Sequence, residues 1–207
     1  MKETSRVRSE RSALAQAGFA QPGFQTDALS FCERAEVSKI RVRASGTAST
    51  GLPTRPGLPD VTGQCLGRDP AFLCLRPGEW LTVSESDSAE TLMGEIVEQY
   101  GDSGVLTWDE SDGLAALRLE GPAAPWLLAK HCGLDLHGAR PDAEYCAQVR
   151  YAHIRLLLHY RGDADGGIYD LYVDRGLARW LWESMADSAP HAIELFKTRA
   201  ARGRVQS

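Results

Sequence analysis

Residues 72–83 read FLCLRPGEWLTV, two short apolar runs separated by Arg76-Pro77-Gly78-Glu79. Proline at the second position of a turn fixes its φ at about −65°, and glycine at the third position takes the positive φ of a type II turn. The flanking runs are rich in the aromatic and aliphatic residues that favour strands. The stretch therefore predicts a β-hairpin, and with it an antiparallel sheet.

The segments around this hairpin complete a first α+β unit, which we assign to residues 31–103. Residues 37–44 alternate apolar and basic side chains and predict a half-buried strand. A long loop suited to docking follows at 45–63, where three prolines and several glycines exclude regular structure. After the hairpin, Asp87 and Glu90 have the spacing of a capping box at the start of a helix.

A second α+β unit is predicted over residues 104–190. It contains strands around residue 105 and at 115–120, 146–150, 154–160 and 168–173, with helices at 122–132 and 177–185. The last helix is expected to stop before Pro190, leaving a short terminal helix and tail at 191–207. Residues 1–30 lack periodicity and are predicted to be an arm that is ordered only in a complex. The fold class is therefore α+β, with two small antiparallel or mixed sheets and helices on one face.

Charge and composition narrow the range of partners. The net charge is −5 at pH 7, so no basic surplus exists to neutralise nucleic-acid phosphates. Between Ser84 and Leu117 nine acidic residues occur without a basic one, which fits either a surface for a basic partner or a solvated helix face. No apolar run approaches the roughly 20 residues of a membrane helix. Five cysteines without a C-x-x-C pair are typical of a reducing compartment, so we expect a cytoplasmic protein without a nucleic-acid or membrane partner.

The residues that could carry chemistry form no recognisable catalytic pattern. No Gly-x-Gly-x-x-Gly follows a strand and no P-loop lysine is present, so nucleotide binding by this chain is not supported. His131, Cys132, His137 and Cys146 are dense, but their spacing fits no zinc pattern, and no third residue orients a Cys–His pair. The DADG of residues 163–166 is explained by a hairpin turn without calcium.

Alternation along residues 154–160 predicts one apolar and one polar strand face. His153, Arg155, Leu157 and His159 share the polar side. This row either meets an acidic ligand or a partner, or is simply a solvated sheet face.

Three segments resemble the gamma-subunit family of heterotetrameric sarcosine oxidase: CLRPGEWL at 74–81, LLAKHCGLDLH at 127–137 and YDLYVDR at 169–175. The family usually has Gly where this chain has His131, and often Pro where it has Gly138; both departures affect local turns. The motif and interface candidates, including the polar strand face, are Arg76, Gly78, Glu79, Trp80, Lys130, Cys132, Asp135, His137, His153, Arg155 and His159.

The resemblance implies half of the folate-binding fold of the glycine-cleavage aminomethyltransferase, within a complex of alpha, beta, gamma and delta subunits. It implies FAD, covalently bound FMN, NAD and tetrahydrofolate on the large subunits and zinc on delta, and none of these cofactors on this chain. Such a complex oxidises sarcosine to glycine, produces hydrogen peroxide and transfers the one-carbon unit to tetrahydrofolate. No catalytic, cofactor-binding or metal residue is carried over, so we expect an accessory subunit that is not an enzyme by itself.

Two other interpretations remain open. The matching subunit of an N-methylglutamate dehydrogenase differs in substrate and electron acceptor, and this chain does not separate the two. A free-standing folate-binding protein, like an iron–sulfur assembly factor of this fold, has Lys-Gly-Cys-(aromatic)-x-Gly-Gln-Glu. Here Lys130 and Cys132 are followed by Gly133-Leu134-Asp135, which breaks that motif.

Overall fold

A computed structural model of the chain describes residues 12–16, 18, 23–44, 57–100, 104–136, 144–162 and 167–205. The strands are β1 (Gly23–Gln25), β2 (Ser30–Glu33), β3 (Ser38–Ala44), β4 (Cys65–Leu66), β5 (Ala71–Arg76), β6 (Glu79–Ser84), β7 (Val105–Asp109), β8 (Leu114–Glu120), β9 (Tyr145–Tyr151), β10 (Ile154–Tyr160) and β11 (Ile168–Asp174). The α-helices are α1 (Ala13–Gln16), α2 (Ala89–Tyr100), α3 (Ala124–Ala129) and α4 (Ala178–Val205), the last preceded by a 3-10 turn at Arg175–Leu177.

The strands form two sheets, which confirms the α+β prediction with two antiparallel sheets. One sheet has six strands in the order β1-β2-β8-β11-β10-β9, and the other has five in the order β4-β5-β6-β3-β7. The hairpin is present as β5 and β6, paired from Ala71 opposite Val83 to Arg76 opposite Glu79. The docking loop at 45–63 is described only from Gly57 onward, so the rest of that prediction lies outside the described residues.

The chain divides into two compact units whose boundaries differ from the predicted ones. Unit 1 contains residues 1–35, 115–143 and 148–207, and unit 2 contains 36–114 and 144–147. Of the predicted arm at 1–30, residues 23–25 form β1 and Ser30 begins β2, and both strands belong to the six-stranded sheet because β1 pairs with β2 and β2 pairs with β8. They are part of unit 1 in the chain alone.

In unit 2 the helix α2 packs on one face of the five-stranded sheet. Ile40, Val42 and Trp80 on the sheet pack together with Leu92 and Ile96 on the helix. The helix begins one residue later than the capping-box prediction requires. Its first turn is capped by Ser88, whose Oγ accepts a hydrogen bond from the Thr91 amide at 3.1 Å, while the Asp87 carboxylate accepts one from Ser84 Oγ at 3.1 Å.

In unit 1 the long helix α4 continues through Pro190, so the prediction of a helix that stops before it is wrong. Proline removes one helical amide donor and disfavours a helix interior. Here the exposed Pro190 is flanked by Ala189 and Ala192, both fully buried against the rest of the unit. Tertiary packing on both sides of the proline therefore outweighs the local preference.

Candidate functional site

The first motif, CLRPGEWL, folds into the hairpin turn and an ion-pair network. Arg76 Nε donates to Glu79 Oε2 at 2.6 Å, and Arg41 NH1 donates to Glu79 Oε1 at 3.1 Å. Trp80 is buried, and its indole N–H donates to the Pro59 carbonyl at 2.6 Å. Each of these side chains is therefore engaged inside unit 2.

Gly78 has the structural role predicted for it. Its φ of 81° is the positive value expected at the third position of the turn. Its carbonyl accepts the Ala44 amide at 2.8 Å, which joins the turn to β3. A side chain at this position would be strained, because a Cβ disfavours positive φ.

The second motif brings its histidine into an aromatic cluster at one end of unit 1. We call His131, Tyr151, His153 and Trp180 the histidine–aromatic cluster. The ring centroids are 5.1 Å apart for His131 and Tyr151, 4.3 Å for His153 and Trp180, and 6.4 Å for Tyr151 and Trp180. His131 Nε2 lies 3.1 Å from Ser188 Oγ, and burial raises the pKa of Tyr151 to about 12. The tyrosine is therefore a neutral packing residue near pH 7.

The other residues of this motif flank the cluster. Lys130 Nζ contacts His191 Nδ1 on helix α4, and Cys132 is buried in an antiparallel bridge with Tyr151. Asp135 is exposed, and His137 lies outside the described residues. The motif thus fixes the end of α3 to β9 and α4, and the structure gives it no nucleophile–base pair among the described residues.

The predicted polar face of β10 is exposed at its first two residues and buried at its last two, which corrects the prediction of a continuous polar row. His153 and Arg155 are exposed, but Leu157 is buried and His159 is 0% exposed. His159 stands opposite Asp170 of β11 in the strand register. His159 is therefore polar because it lies in a buried polar patch with Asp170, and not because this end of the strand faces solvent.

That patch contains an ion-pair network that the sequence reasoning missed. The Asp170 carboxylate, 5% exposed, accepts bonds from Arg118 Nε and NH2 at 2.7 and 2.8 Å and from Arg161 NH1 at 3.4 Å. The available signal was a charged residue inside each of two strands, LAALRLE and IYDLYVD, whose only other charged residue is the last one. Strands buried on both faces tolerate such charges only in pairs.

Unit 2 has a group of three thiols, Cys65, Cys74 and Cys146. None is in a disulfide. A hydrogen bond with Cys146, together with burial, raises the pKa of Cys65, and the same hydrogen bond lowers the pKa of Cys146. Burial raises the pKa of Cys74 to about 11. Because Cys146 is itself buried, the group offers solvent no accessible thiolate near pH 7.

The described part of the chain was also searched for metal sites and for membrane-spanning helices. There, no group of three or more Cys, His, Asp and Glu side chains lies close enough to hold a metal ion. None of the helices described above combines the length and the hydrophobicity that crossing a membrane requires.

Comparisons with known proteins agree with this architecture. The chain is 30% identical over 200 residues to a sarcosine oxidase subunit gamma from Arthrobacter sp, covering 93% of this chain and 97% of that relative. It also resembles a chain of heterotetrameric sarcosine oxidase from Corynebacterium sp. U-96, with a TM-score of 0.67, 24% identity and coverage of 86% and 95%. An aminomethyltransferase T of the glycine cleavage system from Bartonella henselae matches with a TM-score of 0.58 and 13% identity, over 84% of this chain and 56% of that one. No protein-family model matches the chain.

The two sheets with their helices thus define a protein with half of the aminomethyltransferase fold. The 30% identity along nearly the whole length of the Arthrobacter relative shows membership of one family, and not only a shared fold. The chain belongs to the sarcosine oxidase gamma-subunit family.

Proposed function

We propose that the chain is the accessory gamma subunit of a cytoplasmic heterotetrameric sarcosine oxidase, bound to alpha, beta and delta subunits. The observation that carries the proposal is the match to a gamma subunit over 97% of that protein's length. In this proposal the partners hold FAD, FMN, NAD, tetrahydrofolate and zinc. They oxidise sarcosine to glycine, produce hydrogen peroxide and pass the one-carbon unit to tetrahydrofolate.

The role assigned to this chain is scaffolding. Support comes from the motif residues, since Glu79, Trp80 and Cys132 are all engaged in contacts within their own units. Support also comes from the half fold, because the chain spans 56% of the length of the aminomethyltransferase that it resembles. Residues that hold elements together stabilise a subunit without acting on a substrate.

The test is reconstitution with the large flavoprotein subunits of a sarcosine oxidase from the same organism. We expect the chain to co-purify with them in a fixed ratio, and the complex to form peroxide in the presence of sarcosine. The chain alone should be colourless and inactive. A yellow isolated chain, or a monodisperse monomer that binds tetrahydrofolate tightly, would contradict the proposal.

The substrate of the complex distinguishes a sarcosine oxidase from the second candidate, an N-methylglutamate dehydrogenase. A complex that oxidises N-methylglutamate and passes electrons to an acceptor other than oxygen would identify the chain as the matching subunit of an N-methylglutamate dehydrogenase. Steady-state rates with sarcosine and with N-methylglutamate on the same preparation decide between the two.

A further inference from the structure

The strand β7 forms one edge of the five-stranded sheet. It pairs with β3, from Ile40 opposite Asp109 to Ala44 opposite Val105, and no other described strand pairs with it. Natural edge strands are usually protected from pairing by being very short, by a lysine or a proline, or by a bulge. At the other edge β4 has only two residues, whereas β7 reads VLTWD and has five.

The hydrogen bonds of β3 show which backbone groups of β7 face outward. Glu110 N donates to Lys39 O at 2.8 Å, so position 110 points toward β3. Backbone groups alternate in direction along a strand, so those of Leu106 and Trp108 also point toward β3. The amides and carbonyls of Val105, Thr107 and Asp109 therefore point to the open side.

Two large apolar side chains project from the same strand. Leu106 is 50% exposed and Trp108 is 44% exposed. They stand opposite Arg43 and Arg41 of β3, so both lie on one face of the sheet, the face away from α2. Outward backbone groups with exposed apolar side chains at alternate positions are what strand addition by a peptide uses.

The surroundings of β7 are acidic. Asp109 is exposed on the strand itself, and Glu90, Glu95 and Glu98 are exposed on α2, which contacts β7. On the opposite face of the sheet, Arg41 is ion-paired with Glu110 at 2.8 Å and with Glu79 at 3.1 Å, while Arg43, opposite Leu106, is exposed. The acidic groups lie on the α2 face of the edge, so they favour an added strand whose basic side chains project toward that face while its other side chains cover Leu106 and Trp108.

We infer that β7 is a docking edge for an extended basic segment of another subunit, which adds as a sixth strand and covers Leu106 and Trp108. A second copy of this chain fits less well, since paired β7 strands would bring two acidic surfaces together. The inference rests on the proposed function, because it names the surface through which the subunit enters its complex.

The decisive variant is Thr107→Pro in the full chain, with Thr107→Val as its matched control. Proline removes the outward amide donor but no hydrogen bond to β3, and proline is tolerated at such edge positions. We expect Thr107→Pro to weaken binding to the tagged flavoprotein subunits about tenfold, the effect of losing one or two hydrogen bonds. Thr107→Val should bind like the original chain.

A second pair of variants keeps the test valid if proline disturbs folding. Leu106→Lys places a cation where a basic segment would lie, and Val61→Lys makes the same change at another exposed apolar residue. We expect only Leu106→Lys to weaken the complex, and we expect binding of the original chain to fall with added salt. Circular dichroism and thermal melting of each isolated variant measure folding.

Each outcome decides the matter. A complex that forms equally well with Thr107→Pro and Leu106→Lys overturns the docking edge and leaves the proposed function standing. An isolated chain that dimerises, and loses the dimer on Thr107→Pro, overturns the basic partner in favour of a second copy. If the original chain binds none of the subunits, the proposed function fails and the docking edge fails with it.

Discussion

The carboxylate of Asp170 holds two guanidinium groups in the interior of unit 1. Arg118, whose side chain is only 13% exposed, donates hydrogen bonds to both carboxylate oxygens of Asp170. This geometry offsets much of the desolvation cost of each charge. Removing one partner of such a pair leaves the other charge buried without compensation. The intact network therefore adds little to the net stability of the fold, whereas removing one of its members lowers that stability strongly.

Asp170→Asn tests this network. The substitution keeps the shape of the side chain and removes its charge, so Arg118 and Arg161 lose their counter-charge. We expect the free energy of unfolding to fall by about 3–5 kcal/mol, measured by urea denaturation. Glu98→Gln removes an exposed carboxylate of α2 and should change it by less than about 0.5 kcal/mol. Equal effects of the two substitutions would show that the network contributes nothing specific.

Single residues were predictable from the sequence where local chemistry decides their conformation. Gly78 is such a case, because its positive φ depends on the four residues of one turn. His159 is the opposite case. It is fully buried and stands opposite Asp170, 11 positions away along the chain, and the alternation within one strand does not predict such a pairing. The motif LLAKHCGLDLH was singled out from the sequence, whereas the packing of its His131 against Tyr151 and Ser188 follows only from the structure.

Among whole elements, the eight predicted strands are present, whereas β1, β2 and β4 and the full length of the last helix were not predicted. The strand Ile154–Tyr160 has the predicted bounds, since turn residues define both of its ends. The helix α4 was divided at Pro190 by a local rule. Burial of Ala189 and Ala192, which lies beyond the reach of that rule, keeps it continuous.

Pro190→Ala measures how much the proline destabilises helix α4, a cost that tertiary packing offsets. Alanine supplies an amide that can donate to the carbonyl four residues earlier, and it is the better helix former. In a continuous helix the substitution should raise the free energy of unfolding by about 1–3 kcal/mol, seen as a higher denaturation midpoint. Glu194→Ala, at another exposed position of α4, should leave the midpoint nearly unchanged. A lower midpoint for Pro190→Ala would instead favour two separate helices.

At the scale of the whole molecule, the chain does not fold as consecutive blocks. It contributes 1–35 to unit 1, then builds most of unit 2, and returns to unit 1 at 115. The register of β2 with β8 joins Ser30 to Glu120 across this excursion. Local sequence patterns place consecutive segments in the same unit. They do not predict strand pairings between segments that are far apart in the sequence.

The N-terminal residues provide the sharpest test of this arrangement. Phe31 of β2 is buried, with its ring centroid 4.8 Å from that of Trp182 on α4. Glu33 accepts the Ala13 amide at 2.7 Å and the Ser12 hydroxyl, so it caps α1. Deleting residues 1–34 would remove these contacts and leave β8 with only one neighbouring strand, β11.

We expect the chain without residues 1–34 to lose cooperative unfolding of unit 1 and to aggregate, because loss of Phe31 alone removes about 3–5 kcal/mol of a stability that is marginal in most domains. Deleting only residues 1–11 keeps Ser12, Glu33 and both strands, and should preserve the near-UV circular dichroism and the melting midpoint. If the longer deletion also melts like the full chain, β2 is dispensable to the sheet and the residues predicted as an arm, 1–30, are separable from the fold.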